Sequence, residues 1–159
     1  MAPRFLACFG RGSGATASAP DPAEELAPGP VLVELFSSPG CAASPEADAV
    51  AARLAQDSVE AAGAGGQRAV VVLGFHVDYW DYRGWKDPFA SSAWTVRQKA
   101  YVEALRLDTL FTPQVVVQGR ADCVGTEHDK LAQAVRDAPK YPSPAMKVRT
   151  HALIITALL

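Results

Sequence analysis

An apolar run of strand length, cut off at Ser37-Ser38-Pro39-Gly40 and followed at once by a cysteine, restricts the fold of this chain more than any other stretch. The run is Val31 to Phe36, with Glu34 its only charge. Nearly continuous apolar character predicts a strand buried on both faces, as in the parallel part of an α/β sheet. Cys41 then stands where the next segment begins to read as a helix. Pro45, Glu46 and Asp48 suit a first helical turn. Ala47, Val50, Ala51, Leu54, Ala55 and Val59 recur at helical spacing, and the pattern holds from Pro45 to Ala62. A thiol at a helix N-terminus faces unpaired backbone N–H groups and the positive end of the helix dipole. Both favour the thiolate, which is the reactive form.

The pattern continues with Ala69 to Phe75, a second strand expected to be buried. It runs into an aromatic and acidic loop, His76 to Tyr82. Asp87-Pro88 reads as an N-cap and first helical position, for a helix reaching about Leu107 with a break near Ser91-Ser92. Gln114 to Gln118 is a third strand, and Gly119-Arg120 turns it into a short fourth, Ala121 to Val124. Glu127 to Ala138 is a last helix with Leu131 and Val135 on one face. The order β-α-β-α-β-β-α predicts a parallel first pair, then a hairpin, with helices on both faces of a mixed four-stranded sheet.

A chain of 159 residues suits one domain with its own core. With 15 Lys+Arg against 17 Asp+Glu the net charge is -2, and no basic stripe points to nucleic acid. No apolar run approaches the roughly 20 residues of a membrane span, Ala152 to Leu159 included. Cys8, Cys41 and Cys123 make no disulfide framework. His76, His128 and His151 stand apart from them, so no metal site is expected. A reducing, cytoplasmic compartment is the simplest reading. Residues 1–30, rich in Gly, Ala, Ser and Pro, read as a disordered or targeting tail in which Cys8 is an idle thiol. Residues 31–140 hold the domain, and residues 141–159 read as a Pro-rich and apolar, truncated tail.

Four stretches carry a resemblance: Val31 to Cys41, Phe75 to Tyr82, Gly84 to Phe89 and Phe111 to Gln114. Together they resemble the thioredoxin-like proteins of domain-of-unknown-function family 1223 (DUF1223), over roughly Val31 to Val148. The resemblance implies a thioredoxin-like fold. It also implies that the Thr112-Pro113 bond is cis, faces the cysteine, and offers backbone groups to an extended peptide or to glutathione. Many members carry Cys-x-x-Cys-Pro where this chain has Cys41-Ala42-Ala43-Ser44-Pro45. The family usually continues into a β-rich C-terminal region, whose place here is taken by residues 149–159.

Cys41 is therefore expected to be a low-pKa monothiol, against the plainer reading of a small buried hydrophobe. Ser44 is expected to donate to the Cys41 thiolate or to cap the helix. His76 and Asp78 are candidates for acid or base work near Cys41, against a loop whose carboxylates simply hold backbone N–H groups. Trp80, Trp85 and Trp94 read as packing anchors, and Cys123 as a structural thiol. The expected activity is that of a thiol–disulfide oxidoreductase of the monothiol, glutaredoxin-like kind. Its partners are protein disulfides or glutathione, with glutathione as co-substrate and no other cofactor. The alternative is a non-catalytic peptide-binding module built on the Thr112-Pro113 groove. A third expectation is a truncated chain that folds poorly.

Overall fold

The computed structural model describes residues 28–65 and 68–143, so most of both expected tails, Cys8 included, lies outside the described residues. The elements are β1 (Val31–Ser37), α1 (Ser44–Gly63), β2 (Val70–His76), a 3-10 turn at Asp81–Arg83, α2 (Ser92–Leu105), β3 (Gln114–Val117), β4 (Ala121–Val124) and α3 (His128–Asp137). The sheet order is β2-β1-β3-β4. β1 runs parallel to β2 and antiparallel to β3, and β3 and β4 form the hairpin.

β1 is central, and its alternation divides the core in two. Val31, Val33 and Leu35 meet Ala47 and Ala51 of α1 and Leu131 of α3 on one face. Phe36 and Val116 meet Phe75, Tyr101 and Leu105 on the face covered by α2. Alanines on α1 let the helix lie close to the sheet, where apolar burial is worth about 25 cal/mol per Å2. Glu34 shares the α2 face and is 2% exposed. Arg97 holds it bidentately at 2.5 and 2.9 Å, and the Tyr101 hydroxyl donates to it at 2.6 Å. A buried carboxylate costs several kcal/mol unless it is paired and hydrogen-bonded, so these three contacts are what make a charge on this strand tolerable. Burial first, and then the neighbouring carboxylate, push the Tyr101 hydroxyl up to about 12.

Two details differ from the sequence-based expectation. β2 is an edge strand, and its Val71 and Leu73 are exposed instead of buried. α2 begins at Ser92, not at Pro88, and its N-cap is Ser91, whose hydroxyl accepts the Ala93 N–H at 3.2 Å. Asp87 does not cap it because its carboxylate is taken by His76 at 2.5 Å and by the Phe89 N–H at 2.9 Å. Among the described residues no helix is long and apolar enough to cross a membrane.

Candidate functional site

The loop after β1 folds on itself. Ser38 accepts the Cys41 N–H on its carbonyl at 2.9 Å and the Gly40 N–H on its hydroxyl at 3.2 Å. The Cys41 carbonyl then accepts the Ser44 N–H at 3.1 Å, which starts α1. Cys41 thus lies three residues ahead of the helix, at its positive end. Ser44 is not the helix cap: the N-cap is Ala43, without a side-chain hydrogen bond. The buried Ser44 hydroxyl instead accepts the Ser38 N–H at 3.1 Å. An oxygen occupied as an acceptor keeps its own proton free to donate.

The second wall comes from the strand opposite. The Thr112-Pro113 bond is cis. The Thr112 carbonyl lies 3.5 Å from Cys41 Sγ, and the Thr112 hydroxyl accepts the Trp80 indole N–H at 2.8 Å. Gly125 closes this wall against α1. Its N–H donates to the Pro113 carbonyl at 2.9 Å. A Cβ at Gly125 would sit 2.7 Å from Ala47 Cβ and 3.2 Å from Pro113 Cβ, so only glycine allows that approach. A chain of hydrogen bonds, buried at its centre, runs from the Tyr79 hydroxyl to Gln98 (3.2 Å), from Gln98 to Gln114 (2.9 Å) and from Gln114 to Asp122 (3.1 Å).

These neighbours set the charge state of the thiol. Burial pushes the Cys41 pKa up. The Thr112 and Ser44 side chains and the backbone N–H groups of Ala43 and Ser44 push it down, and together they win, leaving it below the ordinary thiol value. The long contact to the Thr112 carbonyl serves only the protonated thiol, so the hydroxyls and N–H groups decide the outcome. The Tyr79 hydroxyl is pushed up by burial, partly offset by Thr112 and Gln98, and the charge on Cys41 adds to the rise.

Cys41, Ser44 and Thr112 are thus brought together, with Pro113 buried beside Gly125. His76 and Asp78 are held elsewhere. His76 pairs with Asp87, and Asp78 accepts the Thr95 hydroxyl at 2.6 Å and donates its N–H back at 3.3 Å. Neither is hydrogen-bonded to Cys41, Ser44 or Thr112. Trp80 and Tyr79, read from the sequence as loop packing, line the site instead. Gln98 lies four residues after Trp94 and three before Tyr101 on α2. A polar side chain on that inward face was the available signal for it.

A mixed four-stranded sheet in this order, with a cysteine before α1 and a cis Thr-Pro before β3, defines a thioredoxin-like α/β protein. The family model described as "Protein of unknown function (DUF1223)" matches residues 32–155, and the chain belongs to that family. No curated protein matches the chain. Among solved structures it is similar to the crystal structure of protein AGR_C_4864 from Agrobacterium tumefaciens, at 37% identity and a TM-score of 0.55. The match covers 67% of this chain and 46% of that one, so the chain spans about half the length of its solved relative.

Proposed function

We propose that this chain is a monothiol thiol–disulfide oxidoreductase acting through Cys41, in a reducing, cytoplasmic setting. The observation that carries the reading is the place of one sulfur: Cys41 lies at the positive end of α1 with its Sγ 3.5 Å from the carbonyl of the cis Thr112-Pro113 pair, in surroundings that lower its pKa below the ordinary thiol value. The thiolate attacks one sulfur of a disulfide. A new S–S bond forms as the old one breaks, and the leaving sulfur departs as a thiolate that takes its proton from water. With Ser44 where a second thiol would stand, an external thiol such as glutathione must attack the mixed disulfide. That step returns Cys41 as thiolate and leaves the external thiol in a new disulfide.

The test is brief exposure to oxidised glutathione followed by mass spectrometry. Wild type is expected to accumulate glutathione on Cys41. Ser44→Cys is expected to release it and form an internal disulfide, because the new thiol acts intramolecularly. If Cys41 stays unmodified in both while Cys8 is modified, the reading is wrong. A second reading rests on one observation: Cys41 is only 6% exposed. It makes the protein a non-catalytic thioredoxin-like module that binds a peptide along Thr112-Pro113, with the sulfur as part of the floor. Such a module binds peptide equally well after Cys41→Ser.

A further inference from the structure

We propose that the loop between β2 and α2 is a docking surface for an extended, acidic polypeptide segment, which it guides by its disulfide onto Cys41. The inference rests on the reading of Cys41 as a reactive thiol and names the substrate class of that site.

The loop is a built structure. The Ser91 N–H returns to the His76 carbonyl at 3.1 Å, and the Asp87 N–H returns to the Asp81 carboxylate at 3.2 Å. Every carboxylate of the loop is used in this closure: Asp78 by Thr95, Asp81 by the Asp87 N–H, Asp87 by His76 and the Phe89 N–H. What faces water is different in kind. Tyr82 is 78% exposed, Trp85 56% and Phe89 74%, and Arg83 and Lys86 are exposed between them. Three open rings interleaved with two cations on eight residues match the Tyr, Trp and Arg enrichment of interface hot spots. Asp87 is buried against His76 and Asp78 and Asp81 are half-buried, so the charges that stand fully exposed among the rings are Arg83 and Lys86, and this surface complements a partner carrying carboxylates and apolar or aromatic side chains.

The same loop is continuous with the thiol. Arg83 stacks over the Trp80 ring at 4.6 Å, and that indole donates to Thr112, whose carbonyl contacts Cys41 Sγ. Trp80 Cβ lies 3.1 Å from where a Cβ at Gly40 would stand, which seats the loop directly on the Cys41 turn. A cysteine only 6% exposed calls for a slender, extended partner. On docking, Cys41 bonds one sulfur of the peptide as the peptide's S–S bond breaks. The other sulfur leaves as a thiolate within the same peptide.

The probes are a synthetic disulfide-bonded peptide rich in Glu and Phe, a Lys-rich counterpart of equal length, and oxidised glutathione, each given to the full chain. Mixed-disulfide formation on Cys41 is followed by mass spectrometry. Binding of the acidic peptide with its cysteines replaced by serine is followed by fluorescence anisotropy. Wild type is expected to react faster with the acidic peptide than with the basic one, with the advantage falling as salt rises. Tyr82→Ser with Trp85→Ser and Phe89→Ser should slow the acidic peptide by about tenfold or more while changing glutathione by less than about twofold. Arg83→Glu with Lys86→Glu should reverse the charge preference. Because Phe89 meets the His76 ring edge-on at 6.0 Å, the Tyr82→Ser, Trp85→Ser pair alone serves as a second variant that leaves this contact intact. Unchanged peptide rates and binding in all variants overturn the proposal. An equal loss toward peptide and glutathione also overturns it, by making the loop part of a general site. If Cys41 is inert to every disulfide but the serine peptide still binds wild type and not the variants, docking stands and the redox reading falls.

Discussion

Cys41, in the turn that follows β1, and Cys123, on β4, are each partly or wholly shielded from water, and their surroundings drive them in opposite directions. Cys123 is the more exposed of the two. It sits on edge strand β4, facing an open groove of about 380 Å3 toward α3. Burial raises its pKa, the Glu127 and Asp122 carboxylates raise it further, and Lys130 offsets only part, so it is pushed up to about 11. Cys41, the less exposed by surface area, is lowered because the Thr112 and Ser44 side chains and the backbone N–H groups of Ala43 and Ser44 together outweigh its burial. Burial is the largest single cause at both thiols; the carboxylates add to it at Cys123, and the donors together overcome it at Cys41. The groups delivered by each strand end make that difference: β1 leads into a turn and a helix N-terminus, whereas β4 carries Asp122 and leads to Glu127.

The largest expected effect is one that should leave the contrast standing. Arg97→Met strips Glu34 of its bidentate partner. Leaving a buried carboxylate unpaired costs about 3 to 5 kcal/mol, to be read by urea unfolding. In the folded variant the alkylation ratio of Cys41 to Cys123 should hold within about twofold. A collapsed ratio would mean that global stability, not local donors, sets the difference. Gly125→Ala comes next, at about 1 to 3 kcal/mol for overpacking against Ala47 and Pro113. It should also slow Cys41 and leave Cys123 unchanged, because it displaces the wall that carries Thr112.

Thr112→Val removes one donor from Cys41 and the partner of the Trp80 indole. A hydrogen bond to a charged group is worth roughly 1.5 kcal/mol or more, so alkylation of Cys41 at neutral pH should fall by about tenfold. Little change would assign the lowered pKa to the helix end alone. The smallest effect lies in stability against pH. Cys123 binds its proton more tightly folded than unfolded, so its contribution is whole below its ordinary value of 9.0 and is lost as pH rises toward about 11. Cys41 has the opposite sign: its contribution is present above its unfolded pKa and is lost as pH falls through the folded one. Cys123→Ala should therefore flatten the decline in unfolding midpoint above pH 9, and Cys41→Ala should not.

Much of the frame can be read directly from the chain. The run Val31 to Phe36, the break before Cys41 and the turn at Gly119-Arg120 are local signals, and β1, α1 and the β3–β4 hairpin follow from them. The edge position of β2 has no such local signal, because its Val-Val-Val-Leu is as apolar as β1. Only the strand order decides which run is central and which is left at an edge. Asp87-Pro88 has the composition of a helix start, but His76, eleven residues away, takes the carboxylate, and a pairing of that kind leaves no local mark. Within the site, Cys41, Ser44, Thr112 and Pro113 stand in a recognisable pattern. The Trp80–Thr112 hydrogen bond spans 32 residues and comes into being only when the loop closes over the Cys41 turn.

The central claim, that the donors around Cys41 outweigh its burial while the carboxylates at Cys123 add to its own, is met most directly by the pH profile of alkylation with a small neutral reagent, read peptide by peptide. With a pKa of about 11, Cys123 has only about one thiolate in 10,000 at pH 7, whereas Cys41, lowered from the ordinary thiol value, holds a larger share. The lower nucleophilicity of the more acidic thiolate takes back part of that gap. Cys41 should thus react faster than Cys123 at pH 7, with the two rates converging only as Cys123 ionises. Equal rates at neutral pH, or a faster Cys123, would contradict the account.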